Sequence, residues 1–87
     1  MHIIFDVLHL YYLPQYLPVY HHLVNTGAGK ATFVFYRGIH DDIINGIIAK
    51  ENLTHIWVDN EQQATEFYLK EQIMMVINEY IMSIQLL

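Results

Sequence analysis

Apolar residues fall alternately into compact blocks and spaced stripes along the chain. The block "HIIFDVL" (residues 2–8) predicts a strand buried on both faces. In "PQYLPVYHHLVNTG" (14–27), Tyr16, Leu17, Tyr20, Leu23 and Val24 fall at helical spacing. Pro14 or Pro18 fits a first helical turn, where a missing N–H costs nothing, and Gly27 and Gly29 end the helix. A second block, "ATFVFYR" (31–37), precedes a helix over 41–53 in which Ile43, Ile44, Ile47 and Ile48 repeat. Asp41 and Asp42 suit the positive end of that helix, and Gly46 in its interior predicts close packing there. "THIWVD" (54–59) predicts a third strand. A helix over 60–72 follows, capped by Asp59 or Asn60, with Ala64, Phe67 and Tyr68 facing inward. "IMMVI" (73–77) predicts a fourth strand.

The order β-α-β-α-β-α-β with short connections predicts an α/β fold. It is a three-layer, Rossmann-like half-domain with a four-stranded parallel sheet, strand order 3-2-1-4. Residues 1–77 make that domain, and 78–87 form an apolar C-terminal tail. The tail is open to two assignments. Ile77, Tyr80, Ile81, Ile84 and Leu87 make a helical stripe, whereas Tyr80, Met82, Ile84 and Leu86 alternate as in a strand. A single helix from about Ile73 to the end is the rival. In this order the fourth strand is an outer strand, and open apolar edges pair with other chains. The tail is therefore expected either to dock on that edge or to mediate a homo-oligomer.

Composition sharpens the second expectation. Hydrophobic residues make up 54% of the 87, with mean hydropathy +0.22, more apolar surface than a small lone domain easily hides. The net charge of −5, with only four scattered Lys and Arg, supplies no basic face for nucleic acid and is repelled by an anionic membrane. No apolar run approaches the ~20 residues that span a bilayer. The start "MHIIFDV" has neither a basic region nor a small-residue cleavage site, so no secretory leader is expected. The absence of cysteine excludes thiol catalysis and fits a cytoplasmic location.

The stretch "IIFDVLHLYYLPQYLPVYHHL", followed by "ATFVFYRG", "DDIINGII" and "IWVDNEQQATEFYLKE", resembles the start of CDP-glycerol glycerophosphotransferase-like proteins, the teichoic-acid-type polyol-phosphate transferases of bacteria. The similarity runs from about His2 to Ile77, and "HLYYLPQ" is its distinctive part. It implies a truncated N-terminal domain of the two-domain GT-B architecture, facing a polyol-phosphate acceptor. The donor-binding domain has no counterpart, so no catalytic residue and no cofactor is assigned, and whether the chain takes part in an enzyme is left open. The alternative is a small dimeric α/β interaction module.

The candidate ligand contacts are His9, Tyr11, Tyr12, Gln15 and Arg37. Ligands of open α/β sheets bind outside the carboxyl ends of strands, where His9 and Arg37 both fall. A histidine there can orient an acceptor or shuttle a proton, or can simply satisfy the loop backbone. Tyr11 and Tyr12 suit polyol recognition and equally suit a buried interdomain surface. Asp6, inside an apolar block, needs a partner: it braces the fold, caps a loop or pairs with His9. His21 and His22 are adjacent, not at the i, i+4 spacing of helical zinc sites, so no metal is assigned. "GAGK" (27–30) follows a helix and precedes a strand, the reverse of a phosphate loop, and is a helix end.

Overall fold

A computed structural model describes residues 2–38, 40–71, 75–77 and 84–86. The elements are β1 (His2–Val7), a 3-10 turn (Leu10–Tyr12), α1 (Leu13–Thr26), β2 (Lys30–Tyr36), α2 (Asp41–Glu51), β3 (His55–Val58), α3 (Glu61–Lys70), β4 (Met75–Ile77) and β5 (Ile84–Leu86). The sheet order is β3-β2-β1-β4-β5. Its first four strands are mutually parallel in the expected 3-2-1-4 order, with Phe5 opposite Phe33 on one side and Ile77 on the other. β5 runs antiparallel to β4, pairing Val76 with Gln85. Residues 84–86 of the tail thus cover the edge of β4 as a strand, which also rules out one helix from Ile73 to the end. The rest of the tail, residues 78–83 and 87, and residues 72–74 of the expected third helix and fourth strand lie outside the described residues.

Two-residue alternation assigns the strand side chains to two cores. Ile3, Phe5 and Val7 of β1 and Ala31, Phe33 and Phe35 of β2 pack with Leu13, Tyr16 and Tyr20 of α1 and Ile44 of α2. Ile4, Val34, Val58 and Val76 face the other way, against Ala64, Phe67 and Tyr68 of α3. Handedness explains the division of helices. The first two crossovers step outward in one direction and lie on one face; the third returns past β2 and β1 to β4 and, staying right-handed, must take the opposite face. Phe5, Phe33 and Phe35 are wholly buried, with ring centroids 5.0 Å apart for Phe5–Phe33 and 5.7 Å for Phe33–Phe35. Each such burial stabilises the fold by about 1.5–3 kcal/mol.

The helix ends follow local chemistry. Gly27 closes α1 with φ 66°, a left-handed conformation that glycine adopts without steric cost. Asn60 caps α3, its side chain accepting from the Gln63 N–H at 2.9 Å. Pro14 lies in the first turn of α1, but Pro18 lies inside the helix, on an exposed face where water reaches the carbonyl left without its N–H.

Two packing expectations change. Ile44 is buried and Ile47 and Ile48 are half-buried, but Ile43 is 56% exposed. Gly46 is exposed, and a Cβ there meets nothing within 4 Å. Close packing therefore does not account for this glycine, and only its helix-propensity cost remains. Gly46→Ala should stabilise the protein by about 1 kcal/mol in urea unfolding; a destabilised variant would show that the glycine has a steric role.

Candidate functional site

The carboxyl ends of β1 and β2 open onto a cleft of about 510 Å³. Val7 and Ile44 give it apolar walls, while His9, Tyr11, Arg37 and His40 bring polar groups. Its position follows from the topology. Two adjacent parallel strands send their chains onward at the same sheet edge, and residues 8–11 on one side and Arg37, Gly38 and His40 on the other border the gap between them.

Three of the five sequence candidates meet here. His9 precedes the 3-10 turn, and its carbonyl accepts from the Tyr12 N–H at 3.2 Å. Tyr11 is 79% exposed, so its ring is available to a ligand. Arg37 is the first residue after β2, its backbone N–H donating to the Val58 carbonyl at 2.9 Å. The other two candidates lie elsewhere. Tyr12 packs edge-on against Tyr11 at 5.1 Å and against the core under α1, and Gln15 is exposed in the first turn of α1. Neither lines the cleft. His40, just before α2, does line it. The strand-end rule that selects His9 and Arg37 applies equally to His40, so the signal was present in the sequence.

Two donors of the rim are engaged by the protein's own carboxylates. Arg37 Nη1 donates to Asp59 Oδ1 at 2.6 Å, joining the ends of β2 and β3. This guanidinium holds the Asp59 carboxyl below the usual carboxylate range. The Gly38 N–H donates to Asp41 Oδ1 at 2.8 Å.

Behind the cleft, Asp6 serves as a brace. Its Oδ2 accepts from Tyr68 Oη at 2.7 Å and from Tyr36 Oη at 3.2 Å, tying β1 to α3 and β2. Of the roles open to Asp6, this is the bracing one, with the two phenols as its donors. Burial raises the Asp6 pKa, and the two phenol hydrogen bonds oppose that rise without cancelling it. Burial and the adjacent carboxylate push both tyrosines above their usual range. Tyr36 also lines the cleft, so the brace fixes part of its wall. A second tie, His21 Nε2 to Glu51 Oε2 at 3.1 Å, joins α1 to α2. Among the described residues, no group of three or more His, Asp or Glu side chains is placed to hold a metal ion.

These features define a Rossmann-like α/β unit with a polar cleft at the carboxyl edge of its sheet. Among the described residues, no helix is long and apolar enough to cross a membrane. Comparison with protein-family models, with curated proteins and with solved structures finds no match to this chain.

The Asp6 environment gives a pH signature. A carboxyl whose native pKa exceeds its unfolded value of ~3.9 stabilises the fold most when protonated. That contribution is lost as pH rises through the native value. Asp6→Asn cannot ionise, so its stability relative to the wild type should increase between pH 4 and pH 7, measured by denaturant unfolding. A difference independent of pH would contradict the raised pKa.

Proposed function

We propose that the chain is the acceptor-side part of a CDP-glycerol glycerophosphotransferase-like protein and that its cleft receives a polyol phosphate. The observation that carries this reading is the convergence of His9, Tyr11 and Arg37 on one cleft at the sheet edge. A guanidinium forks onto phosphate oxygens, and imidazole and phenol groups match hydroxyls. The resemblance between residues 2 and 77 supplies the substrate class. Transfer itself is not assigned to this chain, because the reaction implied by the resemblance takes place between two facing domains and the described residues build one. A cytoplasmic location belongs to the same reading and is compatible with a chain that has no cysteine.

Titration with glycerol 3-phosphate, followed by amide NMR, should shift the signals of residues 8–11 and 37–40. Arg37→Ala should weaken binding by about tenfold or more, the usual loss for a hydrogen bond to a charged group. CDP-glycerol should bind no more tightly than glycerol 3-phosphate, since the donor belongs to the other domain. Absence of shifts at millimolar ligand would overturn the assignment.

A second reading, a small α/β module that self-associates through the sheet edge or the tail, is favoured by β5. Among the described residues that strand ends the sheet and has β4 as its one paired neighbour, and an edge strand offers its outer backbone groups to another strand. Sedimentation velocity at tens of micromolar should then show a dimer; a monomer removes this reading.

A further inference from the structure

We infer that the cleft is self-occupied: the carboxylates of Asp59 and Asp41 sit on the Arg37 guanidinium and the Gly38 amide, and an incoming phosphate ester must displace them to bind. The inference rests on the proposal that the cleft takes a phosphate ester. It adds what limits the affinity.

Arg37 and Gly38 both line the cleft and both offer N–H groups suited to an anion. Each is already engaged by an acidic side chain outside β2, at 2.6 Å and 2.8 Å. Asp59 is the anchored member of its pair. Its backbone N–H donates to Gln63 Oε1 at 2.7 Å, and its Oδ2 accepts from Gln63 Nε2 at 3.3 Å. These bonds tie it to the first turn of α3. The Arg37 backbone is held by the Val58 carbonyl, while its half-exposed side chain bonds to Asp59, so the side chain is the part that can turn from Asp59 to a ligand.

The pair is a weak latch. The Arg37 and Asp59 side chains are 51% and 56% exposed, and ion pairs this open are screened by water and salt. A phosphate dianion can take two guanidinium N–H groups at once and so compete with a single carboxylate. Removing the charge of Asp59 should therefore tighten phosphate binding by roughly two- to fivefold, the usual range for an exposed pair. Linkage requires the reverse effect as well: bound phosphate draws Arg37 away, and Asp59 then protonates more easily.

The test compares wild type, Asp59→Asn and Arg37→Met in amide NMR titrations with inorganic phosphate and with glycerol 3-phosphate at fixed ionic strength. The Asp59 side-chain carboxyl is titrated in parallel, with and without phosphate. Asp59→Asn should bind both ligands roughly two- to fivefold more tightly, Arg37→Met should lose the response, and phosphate should raise the Asp59 titration midpoint. Equal or weaker binding by Asp59→Asn, or an unmoved midpoint in a wild type that binds phosphate, overturns the latch and leaves the polyol-phosphate reading standing. A gain for Asp59→Asn with no preference for glycerol 3-phosphate over inorganic phosphate upholds the latch and overturns the polyol assignment. No binding of either ligand by wild type or Asp59→Asn overturns both.

Discussion

The pairing of β1 between β2 and β4 is the constraint on which the rest of the structure depends. β1 is the middle strand of the five-stranded order, with parallel neighbours on both sides, and its Ile3, Ile4, Phe5 and Val7 are buried across both faces of the sheet. A strand in that position must be apolar on both faces, which is why "HIIFDV" reads as a nearly continuous block. The exception is Asp6, and its placement is costly unless hydrogen bonds compensate. Two tyrosines from different elements do so, turning a polar interruption into a tie between β1, β2 and α3.

The same constraint creates the cleft. With β1 and β2 in parallel register, their following loops leave at one edge and cannot fill the space between them. Apolar walls from Val7 and Ile44 continue the core outward, and the loops add His9, Tyr11, Arg37 and His40. Acidic residues at the starts of α2 and α3 then reach back to this rim. In a chain of net charge −5 with four Lys and Arg, an arginine at a strand end readily meets a carboxylate before it meets a ligand. The chemistry of the cleft is thus set as much by what already occupies its donors as by the donors themselves.

Much of the fold was legible in the pattern of apolar positions. The first strand, the three helices and their order follow from periods of two and 3.6 residues and from caps such as Asn60 and Gly27. The ends of elements moved by at most two positions, as hydrogen bonding at frayed ends dictates. Gly46 and Ile43 misled because helix periodicity fixes an angular face, while the depth of burial depends on how the helix sits on the sheet. The site was legible in part. Position at a strand end identified His9 and Arg37, but residue type alone also drew in Tyr12 and Gln15, which the start of α1 turns away from the cleft.

By itself the sequence determined the order of strands and helices before the tail, and that the first four strands are parallel in the order 3-2-1-4, because periodicity, short connections and right-handed crossovers are local or nearly local constraints. Only the tertiary structure decided the partners of Asp6, the capture of Arg37 by Asp59, and the pairing of residues 84–86 with β4. Those contacts join residues 22 to 62 positions apart in the first two cases, where the chain carries no periodic signal. For the tail, its alternating and helical stripes coincide, and the open edge of β4 selects the strand because unpaired backbone groups there gain hydrogen bonds.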